Sequence, residues 1–153
     1  MGEKSCCGLG HREIFSEISE ILYKTISRLI VENDVAVFYT GGDGDFDGLF
    51  ASAVRRAKHE YPHIRLYLVK PYMLSSLNRD KDFYQVMYDD IIIPQELMGC
   101  HYKKAITLRN CWMINQSDYV IAFTIRDFGG AYNAVKYAEK ANKKIISISD
   151  IDK

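Results

Sequence analysis

Short apolar runs punctuate this chain at Lys4 to Gly8, Val35 to Thr40, Ile64 to Val69, Ile91 to Ile93, Asp118 to Thr124 and Lys144 to Ser149. Runs of this kind are strands covered on both faces. Between them apolar residues recur at helical spacing. Ile14, Phe15, Ile18, Ile21, Leu22, Ile26, Leu29 and Ile30 form one such set, ended by Asn33-Asp34. Phe46, Leu49, Phe50, Ala53, Val54 and Ala57 form a second, ended by Tyr61-Pro62. His101 to Gln116 and Ala131 to Asn142 read as two more helices. Tyr72 to Asp89 is polar without a clear period and reads as a lid or loop with room for a short helix. Ile91-Ile92-Ile93 reads as a short buried strand. Strands alternating with helices predict an α/β three-layer sandwich with a mainly parallel sheet, in a single domain over residues 1–153.

Ligands of such sheets bind beyond the C-terminal strand ends. Two glycine turns are expected there. Val35–Thr40 runs into Gly41-Gly42-Asp43-Gly44-Asp45-Phe46-Asp47, and the strand from Asp118 leads to Gly129-Gly130-Ala131. Glycine lets the backbone approach a ligand, and the first amides of the following helix lack intrahelical acceptors. Gly129, Gly130 and Ala131 therefore form a candidate phosphate site. The first turn carries Asp43, Asp45 and Asp47, which repel a bare phosphate. With Thr40, Gly41 and Gly42, these acids suit ribose hydroxyls, a base N–H, or a magnesium ion accompanying a phosphate. Asp45 is also placed to cap the helix.

Arg109 shares a helix face with Ala105, Ile106, Trp112, Met113 and Gln116. A guanidinium in a mostly apolar stripe needs an anion. The residues leave two partners open: a ligand phosphate, or an internal ion pair with an aspartate of the first turn. A third candidate is Gly8-Leu9-Gly10-His11-Arg12, read as a turn that ends the first strand and opens a helix. There Gly8 and Gly10 admit a ligand, Arg12 meets phosphate, and His11 titrates near neutrality. Tyr39, Tyr72, Tyr102 and Tyr132 are candidates to stack on a base.

Charge and cysteine content narrow the classes. Lys plus Arg and Asp plus Glu number 20 each, so the formal charge is zero. Without a basic excess, general DNA or RNA binding is not expected. No apolar run is long enough to span a bilayer, and Met1 to Lys4 is followed by too few apolar residues for a signal peptide. No membrane association and a cytoplasmic location are expected. Cys6, Cys7, Cys100 and Cys111 lack metal-ligand spacing and read as reduced thiols, with no metal site.

Taken in order, Cys6-Cys7-Gly8-Leu9-Gly10-His11-Arg12, Thr40 to Asp47, Arg109-Asn110-Cys111-Trp112-Met113 and Phe128-Gly129-Gly130-Ala131 resemble the SLOG superfamily. They are most similar to its small stand-alone YpsA-like members of Gram-positive bacteria. The resemblance spans nearly the whole chain. It implies a Rossmann-like fold related to DprA and to the LOG phosphoribohydrolases, and a nucleotide ligand of adenosine or ADP-ribose character. It also implies a place for Asn110 in the site and a homodimer. LOG enzymes carry a catalytic glutamate shortly after the glycine pair. Here Ala131-Tyr132-Asn133-Ala134-Val135-Lys136 follow, and the next glutamate is Glu139. The implied activity is therefore binding, in which the ligand is sensed or sequestered. Two alternatives remain: hydrolysis of a nucleotide N-glycosidic or phosphate bond with Asp47 (or Asp127) as the acid or base, and an interaction protein with a vestigial pocket.

Overall fold

The computed structural model describes residues 3–148. Six strands form one sheet in the order β4-β3-β2-β1-β5-β6, every neighbouring pair parallel. They are β1 (Lys4–Gly10), β2 (Val35–Thr40), β3 (Arg65–Val69), β4 (Asp90–Ile92), β5 (Tyr119–Phe123) and β6 (Lys144–Ser147). The helices are α1 (Ser19–Asn33), α2 (Asp45–Glu60), α3 (Ser75–Arg79), α4 (Lys81–Met87), α5 (Tyr102–Gln116) and α6 (Gly130–Lys140). Ser149, expected in the last strand, lies outside the described residues.

Adjacent Cys6 and Cys7 show the layering. Strand side chains alternate between faces, so Cys6 joins the core under α1 and α2, with Leu22, Ile26, Phe46 and Phe50. Cys7 joins the core on the other face, with Met113 and Ile114 of α5 and Ala134 and Ala138 of α6. Both faces are covered, which is why β5 is buried at every position. The result is a Rossmann-like three-layer α/β fold. All four cysteines are free thiols.

Three sequence expectations shift. First, β1 does not stop at Gly8, and the Gly8–Arg12 segment does not open a helix. Gly8, Leu9 and Gly10 pair with Ile121, Ala122 and Phe123 of β5. The glycines serve packing, because a Cβ at Gly8 would stand 2.6 Å from the Phe50 ring and one at Gly10 2.2 Å from Phe46. Second, the helical pattern from Ile14 overshoots the helix, which begins at Ser19. Ile14 instead donates its N–H to Asp45 Oδ2 at 3.0 Å, and Phe15 is exposed. Third, Tyr72 to Asp89 holds two short helices with only Leu77 buried on them, and β4 is a half-buried edge strand rather than a core one.

The chain runs outward from β1 through β2, β3 and β4. It then returns by α5 to place β5 on the other side of β1. The direction of winding therefore reverses between β1 and β5, and the crevice at their C-terminal ends is the position where such sheets bind ligands.

Candidate functional site

A cavity of about 460 Å³ occupies that crevice. It is lined by Gly8–Glu13 and Phe15, by Asp43 and Asp47 of the first glycine turn, and by Ile106, Arg109, Asn110 and Met113 of α5. Ile125, Arg126, Gly129, Gly130 and Ala131 complete it. Of the sequence candidates, Gly8, Gly10, His11, Arg12, Asp43, Asp47, Arg109, Asn110, Gly129, Gly130 and Ala131 converge there. Thr40, Gly41, Gly42 and Asp45 do not. No residue from Tyr72 to Asp89 lines the cavity, so that stretch does not lid it. Tyr39, Tyr72, Tyr102, Tyr132 and Asp127 also lie off its wall. Tyr39 packs instead on Tyr67 and Trp112.

Much of the first glycine turn is engaged by its own protein. Thr40 is fully buried, and its Oγ1 accepts from the Gly42 N–H at 3.4 Å. Asp43 donates its N–H to Asp47 Oδ2 at 2.9 Å. The helix N-cap is Gly44, at φ 94°, rather than Asp45. The first two amides of α2 are already taken, since Asp45 N–H donates to Arg12 O at 2.8 Å and Phe46 N–H to His11 O at 3.3 Å. Asp45 holds the Ile14 amide with its side chain. It therefore secures the segment between β1 and α1 rather than a ligand.

Arg109, 2% exposed, takes the internal partner. Its Nη2 donates to Asp43 Oδ2 at 2.8 Å, and its Nη1 to the carbonyls of Val69 at 2.9 Å and Gly41 at 3.1 Å. Its Nε donates to Asn110 Oδ1 at 2.9 Å. The stripe around it is narrower than the helical wheel suggests: Ala105 and Met113 are buried, whereas Ile106 is exposed and Trp112 half-buried. Lys70 completes the cluster, and sequence reasoning missed it. Buried at the end of β3, it donates to Gly41 O at 2.8 Å and Asp43 Oδ1 at 3.2 Å. A Cβ on Gly41 would sit 2.6 Å from the Arg109 guanidinium carbon, so glycine here makes room for a side chain of the protein itself.

The two aspartates diverge electrostatically. Burial pushes Asp43 upward, but the Arg109 hydrogen bond and the charges of Lys70 and Arg109 outweigh it and hold the carboxyl below its usual range. For Asp47 burial wins. It is pushed up to about 6, against the lowering effect of the Asp43 N–H and of Arg109. Asp47 thus titrates near neutrality on the cavity wall.

The second glycine turn is open. Gly129 caps α6 at φ 97°, a left-handed conformation suited to glycine, and makes no side-chain cap. The first helical bond runs from Asn133 N–H to Gly129 O. Among the described residues the amides of Gly130, Ala131 and Tyr132 meet no acceptor. A Cβ at Gly129 or Gly130 would meet nothing within 4 Å. Facing this end of α6, His11 is 4% exposed, accepts the Ile125 N–H on Nε2 at 2.8 Å, and sets Nδ1 3.0 Å from Arg126 Nη2. Burial, then the Arg126 charge, lowers the His11 pKa below its ordinary value. Arg12 is exposed at the rim. Arg126 was not a sequence candidate. Its place just after β5, at a strand end bordering the crevice, was the available signal.

Among the described residues no cluster of three or more His, Cys, Asp or Glu side chains has metal-binding geometry, and no helix is long and apolar enough to cross a membrane.

No protein-family model and no curated protein matches this sequence. Solved structures do. DNA processing protein A from Streptococcus pneumoniae superposes with a TM-score of 0.69 at 15% identity, covering 96% of this chain and 50% of that one. DNA processing protein A from Helicobacter pylori, described by its single-stranded DNA binding mode, gives 0.64 at 16% identity over 95% and 65% of the two chains. The chain thus spans about half to two thirds of these DprA chains. The molybdenum cofactor carrier protein of Chlamydomonas reinhardtii gives 0.57 at 12% identity over 97% and 77%. The expectation that balanced charge rules out nucleic acid is corrected by this likeness, because a protein of the same fold engages single-stranded DNA. The chain has the Rossmann-like fold of DprA and of the molybdenum cofactor carrier protein.

Proposed function

We propose that the protein binds a phosphorylated small molecule, a nucleotide or nucleotide-derived signal, in the crevice between β1 and β5. One observation carries this reading: the uncapped N-terminus of α6 opens at Gly129-Gly130 into a cavity of ligand size. Bare amides and the helix dipole favour an anion there. Asp43, Asp47 and the wall from Gly8 to His11 then face the sugar or base, and magnesium enters with the phosphate rather than on a protein ligand set. Neighbours of this fold are described as a carrier of a molybdenum cofactor and as a binder of single-stranded DNA. The cavity volume favours the smaller ligand class here. Adenosine or ADP-ribose character, and a homodimer, rest on the sequence resemblance. Small molecules released by heat from purified protein are expected to contain a nucleotide by mass spectrometry. Calorimetric titration with AMP, ADP-ribose and an oligothymidylate, with and without magnesium, ranks the classes. Tighter binding of the oligomer than of any mononucleotide would overturn the small-ligand reading.

A second reading, hydrolysis, draws on Asp47. A carboxyl pushed up to about 6 on the wall of the cavity is matched to general acid–base work near neutral pH. Incubation with AMP, ADP-ribose and cyclic ADP-ribose isomers followed by chromatography tests it. Products that form with the native chain and vanish in Asp47→Ala would establish turnover.

A further inference from the structure

We propose that His11 and Arg126 form a two-donor anion receptor beside the open end of α6, and that this pair, rather than Arg109, anchors the charged end of the ligand. The inference deepens the binding reading above and rests on it.

One hydrogen at this pair cannot rotate. The Ile125 backbone N–H points at His11 Nε2 over 2.8 Å, so Nε2 must present a lone pair. A neutral imidazole then carries its proton on Nδ1. That Nδ1–H faces Arg126 Nη2 at 3.0 Å, and a guanidinium offers donors only. Two donors are therefore aimed at each other across a side chain that is 4% exposed. Protonating the ring does not relieve the conflict. It would set an Nε2–H against the Ile125 N–H and a cation against a cation. The ring is also braced edge-on against Phe123, with centroids 6.0 Å apart.

An oxyanion relieves the conflict in one step. Once the guanidinium shifts off Nδ1, an oxygen in its place accepts from Nδ1–H and from the guanidinium fork. Gly130 and Ala131 line the same cavity, and their amides meet no acceptor among the described residues. No carboxylate of the protein takes this role among the described residues. Asp43 is held by Arg109 and Lys70, and Asp47 accepts from the Asp43 amide. Glu13, the remaining acid on the cavity wall, is exposed and bonded to neither donor. In this same position the Arg126 guanidinium lies over the Phe128 ring, 5.5 Å from its centroid.

Two measurements on the full chain test this. Nitrogen-detected NMR of labelled histidine is expected to find His11 neutral with its proton on Nδ1, and that proton shifted by inorganic pyrophosphate. A proton on Nε2 overturns the receptor whether or not any nucleotide binds. In calorimetry, Arg126→Gln and His11→Asn are each expected to weaken pyrophosphate and ADP by about tenfold or more. The double variant should lose less than the product of the two, because both donors hold one group. If wild-type ADP binding survives unchanged in Arg126→Gln, which leaves the buried ring in place, the receptor is overturned and the binding reading stands. If the wild type binds neither probe, both fall.

Discussion

The turn after β2 and the turn after β5 start from the same ingredients: a buried parallel strand, glycines, and the N-terminus of a helix. Their outcomes are opposite. After β2 the first two amides of α2 are consumed by the carbonyls of Arg12 and His11, and the Gly41 carbonyl is consumed by Lys70 and Arg109. After β5 the first amides of α6 meet no acceptor among the described residues, beside two glycines whose missing side chains would have met only open space. A helix N-terminus is an anion site only while nothing else has claimed its amides. The first turn is a structural knot that happens to face the cavity with two carboxylates. The second leaves its first amides unclaimed among the described residues, the condition an anion site requires.

Substitutions can break this contrast, and the largest effect belongs to the knot. Arg109→Met removes one of the two cations on half-buried Asp43 and takes the guanidinium donor from the Val69 and Gly41 carbonyls, of which Gly41 keeps Lys70. It is expected to destabilise the fold by about 3–5 kcal/mol in urea denaturation. A loss below about 1 kcal/mol would show that Lys70 alone neutralises the turn.

Next is Asp47→Asn, whose effect depends on pH. The folded-state pKa is raised from the ordinary carboxylate value to about 6, so the folded protein binds a proton more tightly than the unfolded chain. Ionised Asp47 therefore costs stability fully above pH 6, and the cost fades as pH falls through that value toward 4. The amide variant is expected to be more stable at pH 7.5, by at most about 3 kcal/mol, with the gain gone near pH 4. A gain independent of pH would refute the burial of an ionisable group.

Gly41→Ala drives a Cβ into the pinned Arg109 guanidinium and should destabilise by about 1–3 kcal/mol. The matched change on the open turn, Gly130→Ala, meets nothing within 4 Å and sits at the first position of α6. Its melting temperature is expected to stay within a degree or two of wild type, by an estimate of a few tenths of a kcal/mol, while ADP affinity drops. Equal stability losses at Gly41 and Gly130 would erase the distinction between the turns.

Much of the fold was legible from pattern. The unalternating run Val35–Thr40 became a strand with the expected bounds, and Asp34 ends α1 in a left-handed conformation where the sequence placed a stop. The errors share one cause. Gly8 and Gly10 read as a ligand turn because glycine marks turns, yet here it marks the close approach of Phe46 and Phe50 from α2, a helix remote in sequence. The period from Ile14 read as helix because nothing local reveals that Asp45 claims the Ile14 amide. Lys70 and Arg126 stood outside any motif, and only their positions at strand ends brought them to the site.

The sequence alone determined the layers: apolar runs that suit both faces of a parallel sheet, helical stripes to cover them, and two glycine turns at one edge. It also presented a buried arginine and left its counter-ion open. Only the tertiary structure decided which turn is free, because amide satisfaction is a long-range matter. The carbonyls of His11 and Arg12 reach α2 from another part of the chain, and among the described residues none does the same for α6. Hydrophobic periodicity is a local property and survives in one dimension, whereas the pairing of donors with acceptors is settled when distant segments meet.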